Sequence, residues 1–233
     1  MKTISIAAGV LVTALSLSAF SSCSGGKPAN TKSFTLTWEG HAGVKLKTKA
    51  GKVIYIDPAE SDGDFTEPAD YVLVTHSHED HKPSSKVAYK DVCVTITWKE
   101  AIQDNQYKTF NYDGITIEAV PAGGNRNHKA GSCAGYIVSF DGVSVYHAGD
   151  TSYIDEMQVL SAKNITFAMF PIDGVYNMNA EEATKVADTV GAKFSIPIHM
   201  DNAMNQHKEN KFTPAKGRLI LEPHQTISLK DGK

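Results

Sequence analysis

Short runs of β-branched and aromatic residues recur along most of the chain. Several alternate polar with apolar positions, as in FTLTWEG at 34–40, which is typical of strands with one buried face. Other runs, such as YVLV at 71–74 and FAMFPI at 167–172, are apolar throughout. Continuous apolar runs of this length indicate central strands that are covered on both faces. The pattern therefore predicts a protein dominated by β-sheet.

Helical periodicity is clear in one segment, NAEEATKVADTVGA at 179–192. Asn179 and Glu182 have the spacing of a capping box, an apolar stripe follows them, and Gly191 is placed to end the helix. Weaker helical candidates are SSKVAYK, KEAIQD and SYIDEMQVLSA. Strands with interspersed helices predict α/β layers. The pattern alone leaves open whether the strands form one sheet or two.

The first 32 residues depart from this pattern. Lys2 precedes an uncharged, apolar stretch from Ile4 to Phe20, which is typical of a secretory leader. A membrane anchor is the alternative, although the stretch has about 17 residues where a spanning helix needs roughly 20. FSSC at 20–23 resembles a bacterial lipobox. We therefore expect a lipoprotein signal peptide over 1–22 and a lipid on Cys23, with ordinary cleavage nearby as the alternative.

Residues 23–32 have the composition of a flexible tether. The remaining residues, 33–233, suit one domain. These features predict an exported protein that is lipid-anchored to the bacterial cell envelope and faces the periplasm or the outside. Which membrane leaflet carries the anchor stays open, as does the oligomeric state.

The charged residues are interspersed, and the formal net charge is −3. No basic stripe marks a nucleic-acid partner, and no polybasic cluster marks an anionic membrane surface. The expected partner is a small-molecule substrate. Besides Cys23, the chain has Cys93 and Cys133. Cys93 lies in a predicted strand, where a buried free thiol is expected. A Cys93–Cys133 disulfide is an alternative that the sequence does not require.

The stretch THSHEDH at 75–81 directly follows the apolar run YVLV. His76 and His78 are two residues apart, so in extended backbone they point to the same side and can converge on one ion. Asp80 and His81 follow where the chain must leave the strand, and they can turn toward a second ion. A histidine-rich surface turn is the alternative. Four donors within six residues after a buried strand favour a metal site.

Three further candidate donors lie elsewhere in the chain. Asp150 in YHAGDT and His199 in IPIHMDN each follow a predicted strand, and His128 lies in the loop PAGGNRNHKAGS. Taken singly, each has an ordinary interpretation as a turn or strand-end residue. Their similar placement favours one shared site with the His76 segment.

The motif HSHEDH, the loop histidine, the GD turn and the strand-end histidine together resemble the metallo-β-lactamase superfamily. WEGHAG, VIYIDP and VYHAGDT resemble most the branch that contains ascorbate-6-phosphate lactonases and N-acyl phosphatidylethanolamine phospholipase D. This resemblance implies an α/β fold, a four-layer αββα sandwich with two mixed sheets face to face, helices outside and a metal site at one edge.

The resemblance also implies two metal-binding groups. The first ion would be held by His76, His78 and His128; the second by Asp80, His81 and His199; and Asp150 would bridge the two.

Several other residues are candidate neighbours of these ligands. Asp57 resembles the family aspartate that braces the metal-binding loop, with a simple Asp-Pro turn as the alternative. His41 and His147 are candidate outer partners of the ligands, with purely structural roles as the alternative. Beside His128, three residues are candidates to meet an anionic group, with an ordinary role as polar loop residues as the alternative: Asn125, Arg126 and Asn127. Tyr153 and Tyr176 follow ligand strands and are candidates to line the pocket, with an ordinary role as buried aromatics as the alternative. We expect His207 and His224 to be surface residues.

The function implied by the resemblance is an exported hydrolase with two divalent metal ions. Zinc is preferred because histidines dominate the ligand set, and manganese, iron and nickel stay open. Metal-bound hydroxide, oriented by Asp80, would attack an ester, lactone or phosphodiester. One alternative is a catalytically weak metal-binding or ligand-sensing protein on the same scaffold. Another is a di-iron redox protein.

Overall fold

The computed structural model describes residues 3–5, 33–59, 63–200 and 208–229. The tether, Cys23, His207 and all of the predicted leader except 3–5 lie outside these ranges. Within them, no helix combines the length and the apolar character that crossing a membrane would require.

The first sheet has seven strands, numbered here in chain order along the whole protein. They are β1 (Thr3–Ser5), β2 (Phe34–Gly40), β3 (Gly43–Lys47), β4 (Val53–Ile56), β5 (Ala69–Val74), β6 (Tyr89–Thr97) and β15 (Gln225–Leu229). Their order across the sheet is β1-β15-β2-β3-β4-β5-β6. The pairs β1–β15, β4–β5 and β5–β6 are parallel and the others antiparallel, so the sheet is mixed.

The second sheet has six strands. They are β9 (Thr109–Tyr112), β10 (Ile115–Pro121), β11 (Ala134–Phe140), β12 (Val143–His147), β13 (Phe167–Pro171) and β14 (Phe194–Ile198). Their order is β14-β13-β12-β11-β10-β9, with β12, β13 and β14 parallel and the other pairs antiparallel. A separate ribbon pairs β7 (Ile102–Gln103) with β8 (Gln106–Tyr107).

The main core lies between the two sheets, where side chains such as Leu36 and Leu73 pack with Ile117 and Val138. Every residue of β5 is buried, as the apolar run predicted for a strand covered on both faces. The outer face of the second sheet is covered by the helical segments 155–163 and 180–190. The outer face of the first sheet is covered by loop residues that include Phe65 and Val87. The expected sandwich of two mixed sheets is confirmed.

The one strong helix prediction is confirmed by α2 (Ala180–Val190); the only other α-helix in the described ranges, α1, spans Trp98–Ala101. The Asn179 side chain accepts from the Glu182 backbone N–H at 2.9 Å, and the Glu182 carboxylate accepts from the Asn179 N–H at 3.0 Å. Gly191 ends the helix with a left-handed φ of 66°.

The weaker helix candidates turned out differently. SYIDEMQVLSA forms most of a 3₁₀ helix, Asp155–Lys163. KEAIQD contributes three residues to the single turn of α1 and two residues to β7. SSKVAYK forms no helix and leads through turns into β6. A further 3₁₀ turn spans Lys208–Lys211.

Both described cysteines are free thiols. Cys133 is buried, whereas Cys93 is only partly buried. The expected full burial of Cys93 is wrong because β6 is the outermost strand of its sheet.

The parallel strands bring the candidate donors to one edge of the sandwich. Asp57 follows β4 and the His76 segment follows β5, which pair in parallel. Asp150 and His199 follow β12 and β14, which run parallel through β13. Carboxyl ends of parallel strands meet at the same edge of a sheet, so the topology itself assembles the site.

Candidate metal centre

The segment after β5 turns sharply so that its side chains face the sheet edge. The His81 N–H donates to the His78 carbonyl at 3.2 Å, which closes the turn. His76 and His81 are buried, while His78 and Asp80 are exposed. The buried strand thus fixes two imidazoles and presents two further donors toward solvent.

The first predicted ligand group is brought together. The donor atoms of His76, His78 and His128 all lie within 4.8 Å of one another. His78 Nδ1 is 3.0 Å from His76 Nε2 and 3.3 Å from His128 Nε2. Asn125 holds the His128 loop, because its Oδ1 accepts from the His128 N–H at 2.9 Å and lies 3.2 Å from His128 Nδ1.

The second predicted group is also brought together, with His41 added to it. Donor atoms of His41, Asp80, His81 and His199 lie within 4.8 Å of one another. His41 Nε2 is 3.1 Å from Asp80 Oδ2, and the His41 ring lies 3.9 Å from the His199 ring. His41 is therefore in direct contact with candidate ligands, as expected for an outer partner.

Asp150 lies between the two groups. Its Oδ2 is 3.2 Å from His128 Nε2 and 3.4 Å from His199 Nε2, and its Oδ1 is 3.3 Å from His81 Nε2. Gly149 allows this placement, because a Cβ there would lie 3.0 Å from the Thr75 Cβ and its φ is +63°. The position agrees with the bridging role that the resemblance implied.

Asp57 braces the turn that carries the histidines. Its fully buried carboxylate accepts from the Thr75 N–H at 2.8 Å and from the Thr75 hydroxyl at 2.7 Å, and it lies 2.8 Å from His81 Nδ1. The Thr75 hydroxyl in turn lies 3.0 Å from His76 Nδ1. Outer partners of this kind orient imidazole ligands.

His147 connects two backbone segments that carry site residues. It is fully buried, its Nε2 lies 2.8 Å from the Ala42 carbonyl, and its Nδ1 accepts from the Gly149 N–H at 3.1 Å. It links the hairpin that carries His41 to the turn that carries Asp150. Its contacts are therefore with backbone rather than with the candidate ligands.

Asp173, two residues after the end of β13, is a site residue that the sequence pattern did not single out. Its Oδ2 lies 3.3 Å from His199 Nδ1, and its side chain is 2% exposed. The available signal was its position after the apolar run FAMFPI, the same placement that singled out Asp150 and His199.

Three non-glycine residues around the site adopt left-handed backbone conformations. The φ values are +47° for His41, +47° for Asp57 and +53° for His199. Such conformations cost of order 1–3 kcal/mol each and persist where the surrounding structure over-determines them. Here the His41 carbonyl accepts from the Trp38 indole at 3.0 Å and from the His199 N–H at 2.9 Å.

The site opens into a cleft of about 300 Å³. Its lining residues are His78, Asp80, Asn127, His128, Asp150, Tyr176 and His199. Of the candidate substrate contacts named from the sequence, Asn127 and Tyr176 line this cleft. Tyr153 instead bonds Gln158 at 2.8 Å and Arg126 is exposed. His224 is partly exposed and contacts the buried Glu39 at 3.3 Å.

Comparison with known proteins identifies the family. The sequence model described as "Beta-lactamase superfamily domain" matches residues 35–199. The chain belongs to this family. A UPF0173 metal-dependent hydrolase of Methanoculleus marisnigri is 33% identical over 217 residues, covering 83% of this chain and 96% of that protein. One from Pyrococcus furiosus is 30% identical over 225 residues, covering 83% and 99%.

A solved structure agrees. A protein from Parabacteroides distasonis, named as a metal-dependent hydrolase, superposes with a TM-score of 0.67 at 27% identity, covering 80% of this chain and 92% of that one. The superfamily resemblance and the fold it implied are confirmed, and the chain is an enzyme of the hydrolase class. The finer placement in the lactonase branch stays a prediction.

In this superfamily member, the most strongly interacting charged side chains surround Asp150. Burial would raise the pKa of Asp150, but His81 and His199 hold it well below its usual range. Burial would likewise lower the pKa of His199, but the Asp150 carboxylate and contact with Asp173 raise it to about 10. The pKa of His81 is also raised well above its usual range, against burial, by Asp150 and Asp57.

In the first ligand group, the pKa values of the imidazoles shift downward instead. Burial lowers the pKa of His76 to about 3 and also lowers that of His128. Both imidazoles are therefore neutral near pH 7, the form that binds metal. The bond to His41 lowers the pKa of Asp80, so that its carboxylate is ionised.

The chemistry of the site fits a metal centre. Six imidazoles, including that of His41, and two carboxylates converge, a donor set suited to zinc and similar ions. His81 Nε2, His199 Nε2 and Asp150 Oδ1 are buried and have no hydrogen-bond partner among the described residues. Buried polar atoms are rarely left unsatisfied, and a shared cation would satisfy all three.

Proposed function

We propose that the protein is a metal-dependent hydrolase whose site takes two divalent ions, with zinc preferred. The observation that carries this proposal is the two donor groups with Asp150 in contact with both, together with the three buried donor atoms described above. The relatives named metal-dependent hydrolases support it.

The residues around the cleft have distinct tasks in such a reaction. Two divalent ions, when bound, supply Lewis acidity that activates water and takes up charge on a carbonyl or phosphoryl oxygen. Asp80 is ionised and half exposed at the cleft, and its Oδ2 lies in contact with His41 Nε2 at 3.1 Å. Asp80 therefore orients the attacking water and accepts a hydrogen bond from it. Asn127 and Tyr176 face the space where the substrate lies.

The proposed substrates are small esters, lactones or phosphodiesters. A cleft of about 300 Å³ accommodates a small molecule. Each of these substrate classes develops negative charge on an oxygen in the transition state, which a cationic centre stabilises.

The test begins with the metal content of purified protein, followed by chelation and reloading with zinc, manganese, iron or nickel. Each form is screened against aryl esters, lactones and a phosphodiester. We expect two ions per chain and hydrolysis that disappears on chelation and returns on reloading. Asp80→Ala should lose activity together with metal, whereas Glu79→Ala, on an exposed neighbouring carboxylate, should keep both. Retention of two metals by Asp80→Ala would overturn the assignment of Asp80.

A catalytically weak metal-binding or ligand-sensing protein is the alternative outcome. It would bind two ions with the same residues but hydrolyse no compound of any substrate class. Oxygen consumption by the iron-loaded protein would instead point to redox chemistry.

The export of the protein is a further part of the proposal. The apolar leader and the lipobox-like FSSC support lipidation of Cys23. We expect the full chain to fractionate with membranes and Cys23→Ser to become soluble, while Cys93→Ser stays with the membranes. A Cys23→Ser protein that remains in the membrane fraction after cleavage would exclude a lipid anchor.

A further inference from the structure

One buried carboxylate connects the metal side of the cleft with its substrate-facing wall. Asp173 Oδ2 lies 3.3 Å from His199 Nδ1. Asp173 Oδ1 accepts from the Val175 N–H at 2.8 Å and from the Tyr176 N–H at 2.6 Å. Asp173 Oδ1 therefore holds the backbone of the turn, and Oδ2 is the oxygen that faces the imidazole.

The turn after Asp173 is closely tied to this carboxylate. Asn177 donates through its side-chain Nδ2 to Asp173 Oδ2 at 2.8 Å, and its backbone N–H lies 3.3 Å from Oδ1. The Gly174 N–H donates to the Met178 carbonyl at 3.0 Å, which closes the turn immediately before α2.

This turn carries Tyr176, one of the residues that line the cleft. Tyr176 is 55% exposed and lines the cleft beside His199, and Val175 next to it is 47% exposed. Both side chains project from backbone whose N–H groups are held by Asp173. A change in the position of the carboxylate therefore moves the wall.

We propose that Asp173 is a positioning residue that couples the His199 imidazole to the turn carrying Tyr176, so that metal binding orders the substrate-facing wall. This inference rests on the proposed metal-dependent hydrolase. Asp173 touches neither metal nor substrate in this role and acts through His199 and through the turn.

The physical reason is the position of the His199 proton. A carboxylate facing Nδ1 accepts the Nδ1–H, which leaves the lone pair of Nε2 free for a metal. His199 Nε2 is the atom that points toward Asp150. When the imidazole binds metal through Nε2, its Nδ1–H becomes a stronger donor to Asp173, and the carboxylate that also holds the turn is fixed in place.

Asp173→Asn separates the two tasks of the carboxylate. Its amide oxygen can still accept from the N–H groups of the turn, but its NH₂ group then faces His199 Nδ1. The imidazole must accept at Nδ1 and carry its proton on Nε2, where it blocks the metal. We expect zinc affinity, measured by chelator competition, to fall about 10–100-fold.

Amide hydrogen exchange tests the coupling itself. In the wild type, zinc should slow exchange at the N–H groups of Val175 and Tyr176; in Asp173→Asn at saturating zinc, this effect should be lost. Asp188→Asn is the matched control, because this exposed carboxylate accepts from the Ala215 backbone N–H at 2.7 Å and takes no part in the metal site. It should keep wild-type zinc affinity. Wild-type zinc affinity in Asp173→Asn, or exchange at the turn that zinc does not alter in the wild type, would overturn the inference.

These measurements require no substrate, so a failure to find hydrolysis would leave them valid. If Asp173→Asn does not fold, Asp173→Glu carries the test. The longer side chain keeps the charge but displaces the carboxylate from one of its two partners. Zinc affinity and the zinc-dependent protection of the turn should then fall together, and a change in neither would equally overturn the proposal.

Discussion

Each buried imidazole of the site has a polar partner at Nδ1, and this arrangement decides which nitrogen faces the interior. The partners are Thr75 for His76, Asp57 for His81, Asn125 for His128 and Asp173 for His199. With Nδ1 engaged, Nε2 is left to meet a metal or Asp150. The partners therefore prepare the site chemically before any ion binds.

Replacing Asp57, a fully buried partner, tests whether these residues prepare the site for a metal. In Asp57→Asn, an NH₂ group replaces an oxygen that accepts from Thr75 or faces His81. We expect the free energy of unfolding of the metal-free protein to fall by about 1–3 kcal/mol. Zinc affinity should fall about 10–100-fold. Urea denaturation and chelator competition measure the two effects.

Asp141→Asn is the control for that experiment, since this carboxylate is exposed and accepts from the Lys49 N–H at the surface. It should leave zinc affinity unchanged. Equal losses in the two variants would show that Asp57 has no special relation to the site.

The pKa of His199 predicts how the metal-free protein responds to pH. This pKa is raised to about 10 by Asp150, against the effect of burial, whereas an unfolded chain has about 6.5. The folded state therefore binds the proton more tightly, and the resulting stability is fully present below about pH 6.5 and lost as the pH rises to about 10. Urea denaturation of the metal-free protein should show this decline, and His199→Gln should weaken it.

The zinc-loaded protein provides the contrast, because an imidazole that binds metal carries no proton on that nitrogen. Its stability should not show the His199 contribution over the same range. A metal-free protein whose stability rises from about pH 6.5 to 10 would contradict the assigned shift.

At the scale of single residues, the sequence revealed the donors that follow apolar runs. His76, Asp150 and His199 could be selected because a strand end is visible in the sequence. Asp173 also follows such a run, but the sequence IDG reads equally well as a turn, and only the fold shows that its carboxylate meets His199. Contacts between distant strands have no signature in a single sequence.

At the scale of elements, local chemistry determines how well each element can be predicted. The capping box and Gly191 define α2 from both ends, and the structure has both. Segment 155–163 lacks a side-chain cap at Ile154 and forms a 3₁₀ helix. Its buried residues Met157 and Leu160 are three apart, which matches the 3₁₀ repeat of three residues.

The cap of α2 should contribute measurably to stability. Asn179→Ala removes the acceptor for the Glu182 N–H and should lower the free energy of unfolding by about 0.5–2 kcal/mol. Lys185→Ala, at an exposed position of the same helix, should have little effect. Thermal and urea denaturation compare the two, and equal stabilities would show that the cap is dispensable.

At the scale of the whole molecule, the site joins the two sheets. The His76 segment and Asp57 come from the first sheet, whereas Asp150, Asp173 and His199 come from the second. The alternating and continuous apolar runs predicted the strands, but they left the number of sheets open because strand pairing depends on contacts far apart in sequence. The resemblance to a known superfamily supplied the two-sheet arrangement, which the topology confirms.

Because the site spans both sheets, metal binding should stabilise the whole domain rather than one loop. An ion that binds only the folded state at about a hundred times its dissociation constant adds about 2.7 kcal/mol to the free energy of unfolding. Chelation should therefore lower the melting temperature in a single transition. Hydrogen exchange should become faster at the ends of both β5 and β12–β14.

Magnesium at the same concentration is the control, since it prefers oxygen ligands and should not replace zinc in a histidine-rich site. Reloading with zinc should restore both the melting temperature and the protection. If chelation changed exchange only within residues 76–81, the second sheet would make no contribution to metal binding, and Asp150 and His199 could not be ligands.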